Sequence, residues 1–225
     1  MWWQSHSALA ADARFVSPQR PRPMAQVVLL KGINVGGHRT FRPSTLANAL
    51  ARFGAINVGA AGTLIIHKRV SHRQLRAEIG KHLPFKAEIV FCAGRDILSL
   101  VSQKPFDGKR LGQGVVPFVS VVAHRSRPTT RPPLALPPTG RWSVKFLAYQ
   151  HPFVLGLHRR EMRAISYLGQ LEEVVGAPMT IRSWRTIESV ASILQAWITS
   201  AGGVSPSRAD QRMQLSRART IRGSQ

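Results

Sequence analysis

The chain has 225 residues, 44% of them hydrophobic, and sets 32 Lys and Arg against 10 Asp and Glu for a formal net charge of +22. That suits one globular unit or two small ones sharing a core, and no apolar run reaches the roughly 18–20 residues of a membrane span. Cys92 is the only cysteine, so no intrachain disulfide forms and nothing calls for an oxidising compartment. The start, MWWQSHSALAADARF, lacks the charged and continuous apolar regions of a secretory signal, so a cytoplasmic location is expected.

Residues 1–23 end in SPQRPRP, too rich in Pro and Arg to bury a core, and are expected to be a disordered extension. Met24 is an alternative start to Met1. Gln26–Lys31 reads as a central strand followed by a Gly-rich loop. Pro43 suits the first turn of a helix with Leu46, Ala49, Leu50 and Phe53 inward and Gly54 at its end. Gly62–His67 is a strand. Ser71 with Gln74 makes a capping box for a helix carrying Leu75, Ile79 and Leu83, stopped by Pro84. Lys86–Cys92 is a strand and Asp96–Ser102 a short helix. The first half is read as β–α–β–β–α–β, the order of a split βαβ unit, with only Gly62–His67 assigned as strand between its two helices.

Val115–Val122 is a strand whose Pro117 favours an edge or a strand start. Arg127–Gly140, with five prolines, reads as a stiff connector. Trp142–Ala148 and Phe153–Leu157 alternate as strands around a His151–Pro152 turn. Ile165, Leu168, Leu171 and Val175 mark a helix ended by Gly176, and Ile187 to Ile198 mark the last helix. The end of the chain, from about residue 199, is polar and basic and reads as a disordered tail. No sequence repeat relates the halves.

Lys31, Gly32, Asn34, Gly36, Gly37 and His38 form one candidate site. Glycines between a strand and a helix let free N–H groups approach an anion, with Lys31 and His38 as charge or donor. The spacing is neither of the two phosphate-loop patterns, so a tight structural turn is the competing reading. Arg182, Trp184 and Arg185 form a second candidate patch, where a guanidinium and an indole could pair with and stack on a nucleotide. Packing of Trp184 and N-capping by Ser183 or Thr186 is the simpler account. The densest basic cluster is His158–Arg159–Arg160, joined by Met162 and Arg163. His67, His72 and His82 read as surface residues and Cys92 as packing. The histidines lack zinc spacing, so neither metal nor cofactor is expected.

Three stretches carry a family resemblance: Leu29–His38 (LLKGINVGGH), Lys104–Phe106 (KPF) and Thr180–Thr186 (TIRSWRT). Together they resemble the domain-of-unknown-function 1697 family, with Lys31 where an Arg is usual. The chain departs from the pattern at Ala60–Thr63, where a Gln–Ser–Gly–Asn segment is usual, and at Ser183, Arg185 and Ser189. The resemblance implies an α+β fold of two ferredoxin-like (split βαβ) subdomains with mostly antiparallel sheets. These form one domain over 24–198, with subdomains at about 24–108 and 115–198. No settled activity comes with it.

The charge favours a noncatalytic module that binds nucleic acid or another polyanion without sequence preference. An enzyme acting on a small phosphorylated or carboxylated substrate through Lys31, Asn34 and His38 is the alternative. A homodimer through an exposed strand edge or apolar patch is a third reading; the sequence does not set the oligomeric state.

Overall fold

Residues 25–34 and 40–200 are described by the structure, a computed structural model. The expected N-terminal extension, the basic tail from residue 201 and the candidate residues Gly36, Gly37 and His38 lie outside the described residues.

The first half contains β1 (Gln26–Leu30), α1 (Pro43–Ala49), a single 3₁₀ turn (Ala51–Phe53), β2 (Ala55–Val58), β3 (Thr63–Ile66), α2 (His72–His82), β4 (Ile89–Ala93) and α3 (Gly94–Ser102). Its strands make an antiparallel sheet in the order β2-β3-β1-β4. The second half contains β5 (Val115–Val122), β6 (Leu134–Leu136), β7 (Val144–Gln150), β8 (Phe153–Arg159), α4 (Arg163–Val175), β9 (Met179–Ser183) and α5 (Trp184–Thr199). Its antiparallel sheet runs β6-β7-β8-β5-β9. Without β6, this repeats the first order, with β5, β7, β8 and β9 in the places of β1, β2, β3 and β4. The segment between β5 and β7, which holds β6, replaces the first crossover helix. The fold is α+β, two ferredoxin-like halves in series.

Local chemistry explains the boundaries. Pro43 occupies the first turn of α1, where its missing N–H has no partner to lose. The Ser71 hydroxyl accepts from Gln74 N at 3.2 Å and caps α2. Gly54 and Gly176 end helical segments in the left-handed region, at φ 66° and 70°.

Strand alternation sorts the core. Val28 and Leu30 face α1 and α2, while Val27 and Leu29 face the other way, into a cluster shared with the second half. Phe118 and Val122 of β5 face α4, while Val119 and Val121 enter that shared cluster. Ile97 and Leu100 of α3 and Ile187, Val190 and Leu194 of α5 complete it, and α5 packs against α3, β5 and β2. Burying each such side chain contributes roughly 1.5–3 kcal/mol. The last helix therefore fastens the halves together.

Several elements depart from the sequence expectation, among them β2 (Ala55–Val58), which lies between the expected helix end at Gly54 and the expected strand from Gly62. The proline-rich connector carries β6, which pairs with β7 from Leu134 opposite Phe146 to Leu136 opposite Val144. An edge strand needs partners on one side only, so it tolerates such a sequence. Met179–Ser183 is a strand, although its turn-like neighbourhood (GAPM) and short length conceal it. Within α1, Ala47 and not Ala49 faces the core. Pro117 is the third residue of a central strand, but β9 pairs with β5 only from Phe118 onward, so the proline has a single neighbouring strand.

Candidate functional site

The segments that carry the family resemblance meet where the two sheets join. Arg182, on β9, is 6% exposed and reaches into the first half. Its Nε donates to Thr63 Oγ1 at 2.7 Å, and its Nη2 to Leu30 O at 2.9 Å and Gly62 O at 3.3 Å. Its Nη1 donates to Thr180 Oγ1 at 2.8 Å and Ile181 O at 2.7 Å. All five N–H donors of the guanidinium are used, every acceptor is neutral, and no carboxylate lies within ion-pair distance among the described residues. Burial lowers its pKa to about 10, which still leaves it a cation at neutral pH.

Lys31 crosses the same seam. Its Nζ lies 2.6 Å from Glu172 Oε1, on α4, and 3.2 Å from Glu88 Oε2. Glu172 Oε1 also accepts from Met179 N. Burial opposes the Lys31 charge, but the hydrogen bonds and charges of Glu172 and Glu88 outweigh it and hold the ammonium above its ordinary pKa. Asn34, at φ 56°, acts as a clasp. Its amide donates to Phe41 O and Ala60 O and its carbonyl accepts from Phe41 N, closing the loop on both sides. Of the second candidate patch, Trp184 packs edge-on against Phe106 with centroids 5.1 Å apart, and Arg185 is exposed in the first turn of α5. Ser183 is the N-cap, accepting from Thr186 N. Leu30 thus touches Arg182, but Lys31, Asn34 and Arg182 have their polar groups committed to the protein's own chain.

Cys92 is buried in the shared core. Burial, helped by Asp96, pushes its thiol up to about 12, so it carries no thiolate at neutral pH. Among the described residues no group of three or more His, Cys, Asp and Glu is placed to hold a metal, and no helix is long and apolar enough to cross a membrane.

His67 is not a surface residue, because β3 runs beneath the end of α5. The His67 ring is 6% exposed and 4.8 Å from the Trp197 ring, a pairing invisible in local sequence. Neither ring nitrogen has a hydrogen-bond partner, and burial lowers the pKa below its ordinary 6.5. The imidazole is held neutral, while the unfolded chain protonates near 6.5. The resulting stability is present in full above that pH and is lost as pH falls through the lower folded value. His72, lowered by burial and by Arg76, adds in the same direction. Urea denaturation from about pH 7 to about pH 5 is expected to show falling stability, with a shallower fall in His67→Phe than in His72→Gln. An identical fall in His67→Phe and the parent would remove this role.

A site the sequence marked only as a basic cluster forms at one end of the five-stranded sheet. Val115 pairs with Arg159 and Val144 with His158, so β5 and β7 begin where β8 ends. Arg159 N donates to Ser143 O at 2.9 Å and Arg160 N to Gly114 O at 2.8 Å, which fixes this end. Trp142 lies there under two cations: Lys145 Nζ is 4.7 Å and Arg159 Cζ 4.4 Å from its ring centroid. Arg159 Nε also donates to Trp142 O. Arg141, Arg160 and Arg163 are exposed around it, as is Met162. The local carboxylate, Glu161, accepts from Ser143 Oγ. None of the five cations has a carboxylate within ion-pair distance among the described residues.

The protein is thus an α+β chain of two ferredoxin-like halves locked by a buried arginine, with a basic, aromatic end on the second sheet. Residues 24–131 match the family described as "Protein of unknown function (DUF1697)". Among solved structures, a conserved bacterial protein from Streptococcus pneumoniae aligns with a TM-score of 0.48 at 16% identity, over 76% of this chain and 98% of that one. No curated protein matches the chain.

Proposed function

We propose that this protein binds polyanions, nucleic acid foremost, through the basic end of its five-stranded sheet and without sequence preference. The observation that carries this reading is Trp142 beneath Lys145 and Arg159, with Arg141, Arg160 and Arg163 exposed nearby in sequence and no carboxylate within ion-pair distance of these cations among the described residues. Unpaired cations release condensed counterions when they meet phosphates, and an indole offers a base a stacking surface. The overall charge of +22 supports attraction at longer range. An enzyme centred on Lys31, Asn34 and His38 has less support, since the Lys31 ammonium holds two carboxylates and the Asn34 amide holds backbone.

Binding of mixed-sequence single-stranded RNA to the full chain, followed by fluorescence anisotropy across a salt series, tests the reading. Each phosphate contact contributes about −0.7 to the slope of log K against log salt. The triple variant Arg141→Gln, Arg160→Gln, Arg163→Gln is expected to bind more weakly and to lose about 2 from that slope. An unchanged slope would move the interface elsewhere on the chain.

A further inference from the structure

We infer that the cleft between the loop after β5 and the β7–β8 turn is a binding site for a phosphoryl group, the terminal dianion of a small phosphate monoester. It lies at the opposite end of the five-stranded sheet from the basic end, and does not depend on the polyanion reading. Arg125, Ser126, Arg127, Tyr149 and His151 line a cleft of about 590 Å³, within the size range of small-molecule sites. Four of the five lining residues present donors suited to an anion, and none is acidic.

The loop is built to keep its shape. Ala123 N donates to Pro178 O and Thr129 N to Val174 O, both at 2.8 Å, so the loop is tied at each end to the segments around α4 and β9. In the middle, Tyr149 Oη accepts from Ser126 N at 3.3 Å and donates to Ser126 O at 3.1 Å. Pinning Ser126 at its own backbone holds the stretch of chain from which the two exposed arginines on either side of it project. Holding the loop beforehand reduces the ordering that a ligand would otherwise impose. Ser126 Oγ is only loosely engaged, 3.4 Å from Tyr149 Oη, and can turn its proton to a ligand.

The charge balance selects the ligand class. Neither Arg125 nor Arg127 has an ion-pair partner among the described residues, so two guanidinium charges meet no internal counterion. A phosphoryl dianion supplies two charges and three acceptor oxygens, enough for a guanidinium on each side and the hydroxyl between them. A carboxylate supplies one charge and two oxygens, and would leave one arginine unmatched. The Tyr149 ring and the remaining volume accommodate a small organic group.

The test is titration of the full chain with phenyl phosphate at about pH 7.5, above the second phosphate pKa of about 6. Binding is followed by phosphorus NMR line broadening and calorimetry at constant ionic strength, with benzoate in parallel. Saturable one-site binding is expected, at least about tenfold tighter for phenyl phosphate than for benzoate. The double variant Arg125→Gln, Arg127→Gln is expected to weaken it at least about tenfold, while the Arg141, Arg160, Arg163 triple variant leaves it unchanged. Both variants alter exposed side chains, and unchanged melting temperatures establish that they fold. Equal weakening by the two variants would reduce the effect to bulk charge. Benzoate binding as tightly, or no saturable binding, would overturn the assignment.

Discussion

Replacing Arg182 by alanine is expected to cost about 3–5 kcal/mol of folding stability, since each buried acceptor left without a donor costs about 1–3 kcal/mol. The substitution removes the donor of five hydrogen bonds, including those to Leu30 O in the first half and Ile181 O in the second, although Gly62 O keeps Leu30 N. It also empties a volume that close-packed neighbours refill only in part. Hydrogen bonds from a charged donor are worth more than neutral ones, so the loss exceeds that of a Thr63→Ala change, which removes a single acceptor. Arg182→Lys is expected to recover less than half. An ammonium has three donors on one atom and cannot reach β1, β3 and its own strand at once. Guanidinium denaturation of the three variants measures this. A loss below about 1 kcal/mol for Arg182→Ala would mean that the seam relaxes around the gap or admits water.

The position of Arg182 also explains how much could be read from the sequence. The helices were legible because their signals are local: Pro43, Ser71 with Gln74, Gly54 and Gly176 mark helix ends through the chemistry of unpaired N–H and carbonyl groups, whereas β2, β6 and β9 had no assigned segment. The continuous apolar run at Gln26–Lys31 and the alternation at Phe153–Leu157 exposed two of the strands through their apolar pattern. The short edge strand Leu134–Leu136 lacks an alternation signal, and its pairing with β7 is a contact across the sheet. The candidate residues fared according to whether their roles are local. Arg182 lay at a visible motif, but that its guanidinium crosses 119 positions to Thr63 is a property of the two sheets together. The same holds for Lys31 and Glu172, which are 141 positions apart. The basic cluster at His158–Arg160 was visible as composition, whereas Trp142 and Lys145 join it only because β7 begins where β8 ends.

Gly156→Ala is expected to destabilise the second half by about 3 kcal/mol, at the upper end of ordinary overpacking, although it adds a single methyl group. Register explains why. Gly156 on β8 pairs with Phe118 on β5 and with Phe146 on β7, so a row of large, small and large residues crosses the sheet beneath α4. Both phenylalanines are fully buried, and a Cβ at 156 would run into Phe118 Cζ and come within 2.5 Å of Lys145 O. The two obstacles separate experimentally. Phe118 is a side chain and can be shortened, so Phe118→Leu combined with Gly156→Ala is expected to cost less than the sum of the two single changes, by at least about 0.5 kcal/mol. Lys145 O belongs to the backbone of the neighbouring strand, beside the irregularity between Phe146 and Ala148. Only a shift of β7 relieves it, so rescue remains incomplete. Urea denaturation of the four members of this cycle measures both terms. Full rescue would place the whole conflict on the ring. Strict additivity would place it on the Lys145 carbonyl, and the close packing of β7 on β8 would then be what requires glycine at this position.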